Sequence, residues 1–220
     1  MFSGPSAPGS SVASPKEIVV TEASASAFAC SNGHGKAPVF SDVSVSNVGN
    51  RDYVAIEGLA CQGVVQGFPG GRFDPLLPVT RAQIAKMMVL ALRLQPRRTT
   101  TAFRDVPRSA WFDPYVATAV RAGFMRGTTD VMFAPNGLVT REQMATMVAR
   151  ALRLASEIVP VPIRFSDAAM IGSWARRDAM LVVSAGLMHV RAGGRFAPLR
   201  LVTREEAASI ISLVSRGRDQ

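Results

Sequence analysis

Three Thr-Arg pairs are the part of this sequence best suited to chemistry: Thr80-Arg81, Thr140-Arg141 and Thr203-Arg204, spaced 60 and 63 residues apart. A guanidinium is a planar fork of N–H donors that grips a carboxylate or phosphate with two parallel bonds. Each pair opens a segment of helical periodicity, with the threonine at the cap and the arginine at the first helical position. The threonine is accounted for locally. With Gln83, Gln143 or Glu206 three residues on, it forms a capping box in which the two side chains satisfy each other's backbone N–H, worth about 1 kcal/mol. The arginine is not, because the positive end of the helix dipole disfavours a cation there. Its occurrence in all three places suggests a task, the alternative being a solvated guanidinium or an intramolecular ion pair.

The elements that must position these arginines also recur. Phe40, Phe103 and Phe165 lie 63 and 62 residues apart and are followed by Asp42, Asp105 and Asp167, so one structural unit is used three times. A first helix is predicted at roughly 51–62, 111–122 and 174–185, ending at Gly63, Gly123 and Gly186, where glycine supplies a left-handed terminus. The second helix carries one apolar stripe: Ile84, Met87, Met88, Ala91 and Leu92, then Met144, Met147, Val148, Ala151 and Leu152, then Ala207, Ile210, Ile211 and Val214. Matching stripes invite a three-helix bundle, and units of about 55 residues are too small to be stable alone, so they are expected to pack on one another. The three aspartates are read as Asx-turn and capping residues in preference to metal ligands.

Composition narrows the partners. The net charge is +9, and 22 of 25 basic residues are arginine, the lysines being Lys16, Lys36 and Lys86. Such a surface suits a polyanion, although solvated arginines account for it equally well. No run of 18 apolar residues spans a bilayer. Cys30 and Cys61 are read as free or buried thiols, with one disulfide as the alternative. Residues 1–38, rich in Ser, Ala, Gly and Pro, read as an extended arm or linker with a short strand near 17–21. Met1-Phe2-Ser3-Gly4-Pro5 shows no basic region followed by an apolar one, so no secretory signal is read there. A removed signal, a fragment of a longer chain and a protein that is not exported all remain open.

The combined pattern of Phe-x-Asp, Trp, Gly-x-x-x-Gly, Phe-x-Pro and Val-Thr-Arg-Glu-Gln resembles the S-layer homology family, in three copies at 39–95, 102–155 and 163–216. The resemblance implies a mainly α fold: helix-loop-helix repeats in a pseudo-threefold arrangement around a central three-helix bundle. It also implies binding of an anionic, often pyruvylated, cell-wall polysaccharide in grooves between repeats, at the cell envelope or extracellular surface. The family's groove residues fall on Trp111, Gly123, Gly127 and Arg141 in repeat two, on Trp174, Gly186 and Arg204 in repeat three, and on Gly63, Gly67 and Arg81 in repeat one. Arginine would hold a ketal carboxylate, an indole would cover a sugar face, and glycine would let backbone N–H groups approach. The tryptophans have a second reading as core anchors. Arg51, with Tyr53 nearby, stands where repeat one should have tryptophan, and Val190 replaces the second glycine of repeat three. Repeat two alone has the full set, so one or two competent grooves are expected.

No cofactor and no enzymatic activity are expected. His34 and His189 lack metal-ligand spacing, Cys30 with His34 is a weak zinc signal, and the arm glycines build no phosphate loop. The rival to a glycan-binding anchor is a structural or adaptor subunit of a larger protein assembly with eroded sites, in an intracellular or membrane-associated complex. Nucleic-acid binding rests on charge alone and ranks last.

Overall fold

Thr80 and Thr140 cap helices as the sequence predicts. Their hydroxyls accept from the N–H groups of Gln83 and Gln143 at 3.3 and 3.4 Å, and those glutamines return to the threonine N–H groups at 2.9 and 3.1 Å. Thr203 accepts from the Glu206 N–H at 3.3 Å, but the Glu206 side chain does not complete the box because arginines take its carboxylate. The computed structural model describes residues 40–99, 101–153 and 162–216. The predicted arm at 1–38, with Cys30 and His34, lies outside the described residues.

Each unit contributes two principal helices. The first unit has a short α1 (Val45–Val48), then α2 (Asn50–Cys61) and α3 (Arg81–Ala91). The second has α4 (Asp113–Arg121) and α5 (Arg141–Ala151), and the third α6 (Arg176–Ser184) and α7 (Arg204–Arg216). The fold is mainly helical; the described residues form isolated β-bridges but no strand. No described helix is long and apolar enough to cross a membrane. Helices α4 and α6 start two residues later than predicted, which leaves Trp111 and Trp174 in the preceding turns. The first helices stop where glycine permits: Gly63, Gly123 and Gly186 have φ of 69°, 83° and 70°. At Gly63 and Gly186 the N–H bonds to Ala60 O and Val183 O, while the next N–H reaches Leu59 O and Val182 O, closing a Schellman motif.

The stripes on the second helices are buried apart from Ala151 and Leu152, which are half-buried. Each second helix packs on the first helix of another unit, α3 on α4, α5 on α6 and α7 on α2, with α3 also touching α7. The backbone repeats this order. Val79 N–H donates to Val202 O, Val202 N–H to Val139 O and Val139 N–H to Val79 O, at 2.9–3.1 Å, a closed ring of three bonds. The orphan N–H groups at each second-helix start are also satisfied by the next unit: Arg81 and Ala82 by Gly137 O and Pro135 O, Arg141 and Glu142 by Arg200 O and Pro198 O, Arg204 and Glu205 by Leu77 O and Pro75 O.

The aspartates do more than the expected local turns. Asp42 accepts from Phe73 and Asp74 N–H at 2.7 and 2.8 Å, Asp105 from Phe133 and Ala134 at 2.8 and 2.7 Å, and Asp167 from Phe196 and Ala197 at 2.8 Å each. Each carboxylate thus clamps a turn 28–32 residues away in its own unit. The second residue of each clamped pair has positive φ: 54° at Asp74, 58° at Ala134 and 56° at Ala197. This strained backbone persists because the clamp holds it. The preceding phenylalanines, Phe73, Phe133 and Phe196, are fully buried against Phe40, Phe103 and Phe165 at centroid separations of 5.2, 5.6 and 5.3 Å.

Cys61 is disulfide-bonded, which corrects the expectation of thiols. Sequence spacing carries no information on whether two side chains meet, and a disulfide suits an oxidising compartment.

Gly67 and Gly127 also have a packing role. A Cβ on Gly127 would lie 2.5 Å from Phe103 Cε1 and 2.8 Å from Met132 O, and one on Gly67 would lie 2.7 Å from both Phe40 Cε1 and Arg72 O. Gly127→Ala is therefore expected to cost about 1–3 kcal/mol through overpacking. Thermal unfolding checks this, and a variant melting with the wild type would rule the contact out as the reason for glycine.

Candidate functional site

The three motif arginines are buried, with 3–7% exposure, and each enters a socket in another unit. Arg81 donates from Nε to Phe133 O at 2.8 Å and from Nη2 to Arg126 O at 2.6 Å. Arg141 donates to Phe196 O at 2.8 Å and His189 O at 2.9 Å. Arg204 returns to the first unit, donating to Phe73 O at 2.6 Å and Gln66 O at 3.0 Å. Each guanidinium also lies over the socket phenylalanine, 4.5 Å from Phe133, 5.2 Å from Phe196 and 4.3 Å from Phe73. This explains a cation at the first helical position: carbonyl dipoles and aromatic faces of the adjoining unit offset the helix dipole. Burial pulls all three arginines below their usual pKa, partly opposed by carboxylates, yet an arginine stays charged.

Among the described residues, the Arg204 and Arg141 sockets border cavities. The first, about 350 Å³, is lined by Gln66, Gly67 and Phe68 of the first unit, Lys86 of α3, Trp111 and Arg204. Its residues come from all three units. Trp111 is 53% exposed, which excludes the core-anchor reading. Lys86 Nζ lies 6.0 Å from the Trp111 and Tyr115 ring centroids and donates to Gln66 Oε1 at 2.9 Å. Burial lowers the Lys86 pKa. The Arg204 guanidinium lies over the rings of Phe68 and Phe73, and its Nη1 finds no acceptor among the described residues. The cavity therefore presents two cations, amide groups and an indole, which suits an anionic sugar.

The second cavity, about 360 Å³, includes Arg51, Arg141, His189, Arg191, Arg200 and Glu206. Arg141 Nη1 donates to Glu206 Oε1, and Arg200 Nη1 donates to Glu206 Oε2 at 2.6 Å. Arg191 Nη2 stands 3.5 Å from the same carboxylate. Burial pushes Glu206 up, but these arginines outweigh it and hold it below the usual range. Burial, with Arg51 and Arg141 nearby, lowers the His189 pKa and so disfavours its charged form.

The structure thus groups the sequence candidates differently from the repeat-by-repeat assignment. Gly67, Trp111 and Arg204 meet, although they belong to three units. The set expected in repeat two disperses: Trp111 faces the first unit's cavity, Arg141 enters the third unit, and Gly123 and Gly127 line neither cavity. The reason is the packing order, since an arginine crosses to one neighbour while the tryptophan faces the other. Arg81 lines neither of these two cavities, and Trp174, also 53% exposed, lies over Gly172. Gly63 and Gly186 serve the backbone and also line neither cavity. Lys86, Gln66, Phe68 and Glu206 were missed. The available signal was position six after the capping threonine, where Lys86, Thr146 and Ser209 differ.

The model of the S-layer homology domain matches residues 53–85, 102–145 and 164–208. An endoglucanase of Bacillus sp. (strain KSM-635) is 32% identical over 176 residues, 79% of this chain and 18% of that protein. The S-layer protein sap of Bacillus anthracis is 31% identical over 160 residues, 72% of this chain and 19% of its own length. The surface-layer 125 kDa protein of Lysinibacillus sphaericus is 30% identical over 161 residues, 72% of this chain and 13% of its length. The chain spans less than a fifth of each of these relatives. With three tandem matches over residues that build the sockets and the first cavity, the chain belongs to the S-layer homology domain family.

Proposed function

We propose that the chain is a non-catalytic cell-envelope anchoring module that binds an anionic, pyruvate-bearing wall polysaccharide in the cavity between Gly67, Lys86, Trp111 and Arg204. The observation that carries this is the convergence on one cavity of a lysine, an arginine whose Nη1 meets no acceptor among the described residues, and a half-exposed indole. A ketal carboxylate would take the cations, and the sugar's apolar face would lie on the indole. The names of the surface-layer relatives support a place at the envelope. The closed order of arginine sockets supports a pseudo-threefold body with α3, α5 and α7 at its centre, made of units near 39–95, 102–155 and 163–216.

Co-sedimentation with pyruvylated wall polysaccharide at low salt tests this against the same polymer stripped of pyruvate by mild acid. Lys86→Ala and Trp111→Ala are each expected to weaken binding about tenfold or more, the usual worth of a charge-assisted bond or a stacked aromatic. Their melting temperatures should stay near the wild type, since neither side chain is fully buried. If the wild type ignores the polymer, or if removing pyruvate changes nothing, the proposal fails.

One observation favours an adaptor role in a larger assembly. Leu76, Leu77 and Leu199 are 72%, 50% and 59% exposed, on turns whose carbonyls meet the helix starts of other units. A chain that binds no polymer but forms a defined complex with envelope proteins would support this second reading.

A further inference from the structure

We propose that the second cavity is a built carboxylate-binding site that the chain fills with its own Glu206. The two cavities are constructed alike. In each, a motif arginine from another unit uses Nε and Nη2 on a phenylalanine carbonyl and on the turn after a first helix. Both arginines line their cavities; Arg141 places its remaining Nη1 on Glu206, whereas that of Arg204 meets no acceptor among the described residues. Glu206 is thus an intramolecular stand-in for a ligand carboxylate. It accepts from both Arg141 and Arg200, with Arg191 beside it.

The positions equivalent to Glu206 show that its carboxylate is diverted. Gln83 and Gln143 both turn back to their threonine N–H groups and leave the neighbouring arginine free of them. Glu206 caps only through its backbone. Glu206→Gln would therefore restore the box seen in the first two units and vacate the arginines. The vacated site keeps Arg51, Arg141, Arg191 and Arg200 against Asp52 and Glu205, a balance that still favours an anion. Asp52 is already engaged by the Ser209 hydroxyl, so it opposes an incoming anion less than a free carboxylate would.

The consequence for binding, which rests on the anchoring proposal, is that the wild type takes no carboxylate ligand in this cavity. Glu206→Gln is expected to open it to one.

The test uses acetate, which carries the carboxylate without the sugar. The Arg141 Nε–H resonance is followed by NMR in the full chain as acetate replaces chloride at constant ionic strength. Glu206→Gln is expected to saturate at least about tenfold more tightly than the wild type, the equivalent of one regained charge-assisted bond. Glu206→Gln combined with Arg200→Ala should lose that gain. Glu206→Ala provides a second vacated site should the glutamine variant fold poorly. Equal responses from the wild type and both vacated variants would overturn the proposal. Failure of the wild type to bind wall polysaccharide would instead remove the anchoring function and leave this site intact, so the two outcomes are separable.

Discussion

Arg204→Ala is expected to bring the protein to the edge of unfolding. The side chain closes the third unit onto the first with a buried bond to Phe73 O and a partly buried one to Gln66 O, and its guanidinium lies over the rings of Phe68 and Phe73. Charge-assisted bonds of this kind contribute roughly 1.5–3 kcal/mol each, and truncation removes the donor from both carbonyls, that of Phe73 in a buried site. A loss of about 3–5 kcal/mol is therefore expected, against a typical total of roughly 5–15 kcal/mol. Lysine should not rescue it, because a single ammonium can neither span both carbonyls nor lie flat over the rings. Urea unfolding of Arg204→Ala and Arg204→Lys reads this directly, and a midpoint unchanged from wild type would show that the socket does not join the units. Arg81→Ala and Arg141→Ala should follow the same course. Loss of wall binding in Arg141→Ala would therefore say little about ligand contact, and Lys86 and Trp111 are the better probes.

Much of the fold is local and so was legible. A threonine followed by glutamine three residues on caps its helix without reference to anything distant, and a glycine at the left-handed helix end is a backbone requirement. The repeat also reveals equivalence: Arg81, Arg141 and Arg204 make the same socket. Equivalence is not adjacency, however. Nothing in the spacing shows that Arg204 meets Trp111 while Arg141 does not, because that depends on which neighbour each helix packs against. The aspartates illustrate the same limit, since their partners lie about thirty residues away. Glu206 shows a different one. Glutamate and glutamine both suit a capping box, so the pattern could not reveal that three nearby arginines would draw the charged version away. The site was thus legible as residue types but not as a constellation.

Asp167→Ala is expected to cost about as much as the loss of an arginine, with a dependence on pH that identifies the cause. Its side chain is only 7% exposed, and its two oxygens accept from Phe196 and Ala197 N–H at 2.8 Å each. Truncation strands both donors, which should cost about 3–5 kcal/mol at pH 7, with relief of the strained Ala197 backbone offsetting a small part of it. Asp167→Asn should not restore it, because an amide offers one acceptor and turns a donor toward the second N–H. Burial raises the Asp167 pKa, but the backbone donors and Arg195 outweigh that and hold it below its ordinary value of 3.8. A carboxyl lowered in the folded state stabilises fully above the unfolded value and loses that contribution as pH falls through the folded one. The wild type should therefore lose stability below about pH 4, following the unfolded value, and the gap between it and Asp167→Ala should narrow there. Asp42→Ala should behave in the same direction with a smaller loss, since Asp42 is 22% exposed. Unfolding free energies measured from pH 7 to pH 2 decide the matter. A gap that stays constant across that range would mean that the charge on Asp167 is not what holds the turn.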